Sequence, residues 1–299
     1  MASLPELGHR EGMATSSLRL LIVTALAMTA FAANSVLARL AMATGEAGPW
    51  SFTLIRILAG ALVLCLIASP GRAFGSGSWA SGLALFAYAA AFSVAYLTLA
   101  TGTGALILFA LVQITMIGWG LRLGERLSLW RWAGLALAIA GLVWLLLPGI
   151  SAPPLDGAAL MAAAGVAWGV YSLRGRGQAQ PTAATAGNFV RGSAIAAAIC
   201  IPALLLSGES APSWQGAGYA LASGAITSGL GYAIWYAALR DLSASLAGIA
   251  QLTVPAIAAL GGMVFLAEPL TLRFLLATGL ILGGVALASL QRRPRPIAD

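Results

Sequence analysis

Ten apolar runs, each about the length that crosses a bilayer as a helix, take up nearly all of the chain between residues 18 and 290. That feature leaves little choice of fold. Lipid offers no partner for backbone N–H and C=O groups, so each run must satisfy them within itself, as a helix. The runs cover 18–42, 50–68, 79–99, 103–123, 129–147, 157–173, 183–206, 214–239, 243–266 and 272–290. Charged residues are only 8% of the 299, and the mean hydropathy is +0.92, whereas soluble domains carry about 25% charge. The expectation is an all-α integral membrane protein of ten transmembrane helices. Residues 1–17, polar and without helical period, read as a frayed tail and 291–299 as a second tail. The segment after Arg10 and Arg19 has features of a secretory leader, but its apolar run continues past Ala33 through Val36 and Leu37 and more runs follow, which favours a first span.

All the cations are arginines, and they gather in alternate loops. This is the pattern that orients membrane proteins, with basic loops on the cytoplasmic side. It puts Arg72, Arg122, Arg126, Arg131, Arg174, Arg176, Arg240 and both tails inside, and Arg273 at an outer loop. The net charge of +7 does not point to nucleic acid, because no basic stripe with interleaved aromatics accompanies it. Cys65 and Cys200 each sit inside an apolar run, where plain thiols are expected rather than a disulfide framework.

The chain also repeats itself. Gly124-Glu125-Arg126-Leu127-Ser128-Leu129 sets against Ala267-Glu268-Pro269-Leu270-Thr271-Leu272, and Gly118 and Gly141 then fall opposite Gly261 and Gly284. Phe31-Ala32-Ala33-Asn34-Ser35 matches Trp168-Gly169-Val170-Tyr171-Ser172, and Arg56 with Cys65 matches Arg191 with Cys200. The units are 18–148 and 157–290. Five spans is an odd number, so the second copy enters the membrane from the opposite side, which makes two inverted five-helix repeats and puts Glu125 inside and Glu268 outside. Inverted repeats place the substrate between the copies near the bilayer midplane, with access alternating between the two faces.

Ten spans, two inverted copies and a Gly/Ala-Glu-x-Leu-Ser/Thr turn before the last helix of each copy resemble the drug/metabolite transporter superfamily, in its EamA-type ten-helix branch. Within it the chain is most similar overall to YddG-type amino-acid exporters. Pro255 matches a proline common in the ninth helix of that branch, whereas Gln113 stands at the corresponding place in the fourth. The resemblance implies a monomeric cytoplasmic-membrane exporter of amino acids, aromatic ones included, and related small metabolites, with no bound cofactor. Other metabolites or xenobiotics as cargo, and a non-transporting structural or sensory subunit, are the alternatives.

Catalysis has no candidate residues: no acid pair, no nucleophile with a base, and no metal-ligand cluster. The cargo site is expected from uncharged polar and aromatic groups at mid-depth, namely Asn34, Tyr88, Trp168, Tyr171, Tyr232, Tyr236 and Gln251. Such groups join hydrogen bonds to flat apolar faces, which suits a zwitterion with a large side chain. Asn34, Tyr171 and Gln251 equally suit hydrogen bonds between helices. Trp50, Trp79, Trp130, Trp132 and Trp214 fit the interfacial belt. Arg39, Arg56 and Arg191 lie within two turns of a helix end, so snorkelling or holding neighbouring carbonyls is the plainer reading, and a gate or a carboxylate attractor the sharper one. Pro255 frees the carbonyl of Gln251, either for a substrate or as a simple kink. The fifth and tenth helices are expected to stand away from the cavity.

Overall fold

The computed structural model describes residues 4–124, 128–149, 151–242 and 244–289; Glu125, Arg126 and the tail arginines 292, 293 and 295 lie outside them. The described residues are helical, without a strand. The helices are α1 (Leu4–Ala43), α2 (Pro49–Ala68), α3 (Pro70–Gly75), α4 (Trp79–Ala95), α5 (Thr101–Arg122), α6 (Leu129–Leu146), α7 (Leu155–Gly175), α8 (Pro181–Ser207), α9 (Trp214–Ala222), a π-helical segment (Ser223–Leu230), α10 (Gly231–Leu239), α11 (Ala244–Gln251), α12 (Thr253–Leu266) and α13 (Leu272–Ser289). Among the described residues, six stretches are long and apolar enough to span a bilayer: Leu18–Ala43, Pro49–Ala68, Thr101–Arg122, Leu129–Leu146, Pro181–Ser207 and Ile249–Leu266.

Local chemistry explains most boundaries. Pro49, Pro70 and Pro181 open their helices, where the missing N–H costs nothing and the fixed φ is already helical. Ser78, Ser128 and Ser213 cap α4, α6 and α9 by accepting the N–H of Ser81, Arg131 and Gly216.

Apart from shifts of one or two residues and the short helix α3, which lies outside the ten runs, four features differ from the sequence expectation. α1 begins at Leu4, so its backbone is helical through most of the segment expected to be frayed. α4 ends at Ala95 rather than Leu99, because the carbonyls of Tyr96 and Leu97 turn aside to accept from Arg39 Nη1 at 2.9 and 3.1 Å. The run 214–239 is interrupted by the π-helical segment. The run after residue 243 breaks at Leu252, where Leu252 N–H bonds the carbonyl of Ile249 and Pro255 has no N–H to offer Gln251.

Packing relates the halves in pairs. Trp50 and Ser51 meet Glu209 while Gly60 meets Phe189, so α2 and α8 run antiparallel. Gly134 lies on the backbone of Gly284 and Ala288, and Gly141 on Leu280 and Ile281, so α6 and α13 are antiparallel too. A Cβ at Gly134 would come within 2.4 Å of the Gly284 carbonyl oxygen, which is why glycine occupies both positions. α7 runs antiparallel to α4, with Gly157 at Thr98 and Arg174 at Ser81, and parallel to α5, with Gly165 at Leu108 and Gly169 at Thr115. Likewise α1 is antiparallel to the α9–α10 limb, with Glu46 at Gly216 and Ala30 at Gly231, and parallel to α12, with Val36 at Gly261 and Arg39 at Glu268. Trp79, Trp130, Trp132 and Trp214 are half or more exposed, as belt residues would be, and Trp50 is partly buried against the core.

Candidate functional site

A cavity of about 760 Å³ opens between the halves at the arginine-rich end. Its body is aromatic: Phe31 of α1, Trp168 and Tyr171 of α7, and Tyr232, Trp235 and Tyr236 of α10. Gln113 and Gln251 contribute amides, and Arg131, Arg176 and Arg240 are also part of its lining. On the other side of Phe31, Trp168 and Tyr232, which line both spaces, lies a chamber of about 20 Å³, also lined by Asn34, Ser35, Tyr88, Phe92, Thr227 and Ser228.

The seven residues expected at the site therefore fall into two groups that share members. Trp168, Tyr171, Tyr232, Tyr236 and Gln251 line the wide cavity, and Asn34 and Tyr88 line the chamber with Trp168 and Tyr232. Trp168 is the hub of the rings. It stacks on Tyr171 (5.1 Å, 21°) and lies 4.8 Å from Tyr88 and 5.2 Å from Tyr232. Phe31, which the repeat sets opposite Trp168, packs edge-on against Tyr232 at 5.8 Å. α6 and α13, expected to stand clear, in fact lend Arg131, Val285 and Ala288 to the wide cavity, because their paired ends reach its rim.

The chamber has a polar floor that sequence reasoning missed. A π-helix has a wider turn than an α-helix and recurs at functional sites. Here it carries Ser223, Thr227 and Ser228, all buried. Asn34 Oδ1 accepts from Ser223 Oγ at 2.6 Å and Thr227 Oγ1 at 3.3 Å, while its Nδ2 donates to Tyr88 Oη at 3.2 Å. Asn34 thus does both things open to it, cavity lining and holding helices together. Gly224 lies against the Arg56 carbonyl oxygen, 2.2 Å from where a Cβ would stand, so glycine lets α2 approach this floor.

The three arginines inside spans separate clearly. Arg191 Nη1 donates to the carbonyls of Ser76 and Gly187, at 2.5 and 3.0 Å, which is the plainer reading. Arg39 combines the carbonyls of Tyr96 and Leu97 with an ion pair to Glu268 at 3.1 Å, the two side chains 19% and 15% exposed. Arg56 does neither. It is 2% exposed, donates to Tyr88 Oη at 2.8 Å and weakly to Ser228 Oγ at 3.5 Å, and lies over the rings of Tyr88 and Phe92 at 5.0 and 4.9 Å.

The far end of the molecule is closed. Ser35 and Phe92 line the chamber; one turn further along α1 and past the end of α4, Arg39 and Thr98 line a separate cavity of about 350 Å³ with Glu268. Between them Tyr96 is fully buried, its hydroxyl on the Thr101 carbonyl at 3.2 Å. Glu268 also accepts the Thr101 N–H at 2.8 Å, placing a carboxylate at the N-terminus of α5, where the helix dipole favours it. Glu209 does the same for α2, accepting from Trp50 and Ser51.

The EamA-like transporter family matches residues 155–290. An uncharacterised protein of Pseudomonas aeruginosa is 48% identical over 93% of this chain and 96% of its own length. The threonine/homoserine exporter RhtA of Escherichia coli is 38% identical over 49% of this chain and 50% of its own. One crystal structure superposes with a TM-score of 0.64, at 23% identity, over 89% of this chain and 95% of the other, a likeness of fold alone. Residues 155–290 form an EamA-like transporter domain with homology to RhtA, which supports a place in the drug/metabolite transporter superfamily.

Proposed function

We propose that this protein is a cytoplasmic-membrane exporter of amino acids and related small metabolites, working by alternating access between two inverted five-helix repeats. The observation that carries the reading is an aromatic cavity between the halves, open at the arginine-rich end and closed at the other by Arg39, Tyr96 and Glu268. The paired packing supports the inverted architecture, since α2 with α8 and α6 with α13 are the antiparallel self-pairs that a twofold axis in the membrane plane generates. The arginine-lined mouth would be cytoplasmic, so the conformation is inward-open, and opening of the Arg39–Glu268 pair would expose the same rings outward.

A non-transporting subunit would be expected to have a tightly packed interface between the halves, which the 760 Å³ cavity disfavours. Cationic drugs as cargo would call for a carboxylate in the cavity, and its lining contains none among the described residues. The similarity to a threonine/homoserine exporter supports amino acids as cargo, and the ring cluster around Trp168 supports including aromatic ones. Purified protein in liposomes, tested for counterflow of labelled threonine, homoserine and phenylalanine, checks the reading. Flux above protein-free vesicles for at least one is expected, and none for any amino acid would sink it.

A further inference from the structure

A guanidinium offers five N–H donors and holds its charge at any accessible pH. Buried without a counter-charge it is costly, and membrane proteins retain such groups for a purpose. Arg56 is in that position. Among the described residues no carboxylate reaches it, the ion pair seen being that of Arg39 with Glu268. Two of its nitrogens find hydroxyls, and Nη1 has no partner; of the buried polar atoms left unpartnered it is the one that carries charge. Arg56 lies directly behind Tyr88, Phe92 and Ser228, which line the 20 Å³ chamber, and that chamber shares Phe31, Trp168 and Tyr232 with the wide cavity.

Resting on the exporter reading above, we infer that Arg56 is the group that binds the carboxylate of the cargo. The sizes divide the work. A chamber of about 20 Å³ takes a group about as large as one water, which fits a carboxylate oxygen and not a whole amino acid. The rest of the cargo stays in the wide cavity against Trp168 and Tyr232, which line both spaces. Arg56 then selects for a carboxylate while the rings accept varied side chains. Its repeat counterpart Arg191 is occupied by backbone carbonyls, so the two halves supply one carboxylate anchor between them.

The test compares acids with amides in which the carboxylate is replaced by an uncharged carboxamide and the amino group is kept: L-threonine with L-threoninamide, and L-phenylalanine with L-phenylalaninamide, in counterflow with the full-length protein in liposomes. A desolvated arginine–carboxylate contact predicts at least about a tenfold preference for each acid. Arg56→Gln should abolish that preference, and Arg56→Lys, which keeps the charge, should retain part of it. Acids and amides carried alike by the wild-type protein would overturn the assignment and leave the exporter reading standing. So would an Arg56→Gln protein that keeps the full preference. If neither member of either pair, nor any other amino acid, moves, the exporter reading falls and the assignment falls with it. Because Arg131, Arg176 and Arg240 also line the wide cavity, an acid preference is assigned to Arg56 by its variants; if Arg56→Gln does not fold, Arg56→Lys decides, a reduced preference supporting the assignment and an unchanged one overturning it.

Discussion

Glu268→Gln is the sharpest test of the closed end. The carboxylate accepts two bonds in this conformation, from Arg39 Nε at 3.1 Å and from the Thr101 N–H at 2.8 Å. Both are charge-assisted, and the pair is mostly shielded from solvent, so it is worth more than a surface ion pair. An amide in its place keeps a neutral hydrogen bond at each position and loses about 1 kcal/mol per bond, or about 2 kcal/mol together. At 1.4 kcal/mol per factor of ten, opening of this end should become about 30-fold more favourable. Arg39 keeps the carbonyls of Tyr96 and Leu97, so the end loosens without falling apart. The readout is labelling of Ser35→Cys, in a background lacking Cys65 and Cys200, by a membrane-impermeant thiol reagent applied from outside. Ser35 lines the chamber and is 1% exposed, so reagent reaches it only when that end opens. The labelling rate should rise by about that factor. A rate within twofold of the parent's, in protein that still folds, would show that the pair does not hold the closure. In a double-mutant cycle, adding Arg39→Gln should contribute less than it does alone, by the worth of the Arg39–Glu268 contact, since its bonds to the Tyr96 and Leu97 carbonyls are lost in either background.

Tyr171→Ala or Gln251→Ala should change phenylalanine transport several-fold in protein that still folds; normal transport by both, or misfolding of both, would remove them from the site. Gly284→Leu should lower thermal stability in detergent by several kcal/mol, as overpacking against backbone does, because a Cβ there already meets the Gly134 carbonyl oxygen at 2.5 Å; an unchanged melting temperature would refute the close approach of α6 and α13. Cysteines at Ser151 and Gln178 should label from opposite sides of the membrane, the first from outside, and labelling from one side would dismantle the proposed inverted arrangement.

The helical nature and the aromatic cluster were legible because each leaves a local trace. A run of about twenty apolar residues has one solution in lipid, and the repeat in the sequence sets Phe31 opposite Trp168. Arg56 was not legible in the same way. Counted along its run it lies within two turns of an end, which suggests snorkelling, but its burial is set by Gly224 letting α2 press on the π-helical segment, a contact between distant parts of the chain. The π-helical segment itself, Ser-Gly-Ala-Ile-Thr-Ser-Gly-Leu, has no composition that distinguishes it from an α-helix of small residues. The early end of α4 was hidden too, since it depends on Arg39 reaching two carbonyls more than fifty positions away.

That π-helical segment makes the halves unequal where they matter most. The stretch from Arg191 to Gly261 is longer than its counterpart from Arg56 to Gly118, and the segment falls within it. Its three hydroxyls serve the Asn34 and Arg56 side of the chamber, while Tyr171, the counterpart of Asn34, accepts from Asn188 at 3.5 Å. Under the proposed alternating access, two states built by exchanging unequal halves would have unequal free energies, and the empty protein would have a preferred resting face. Detailed balance then limits what this lopsidedness achieves. On that reading it would set how long each face waits for cargo, and how tightly each holds it, while the direction of net flow would come from the gradients on either side.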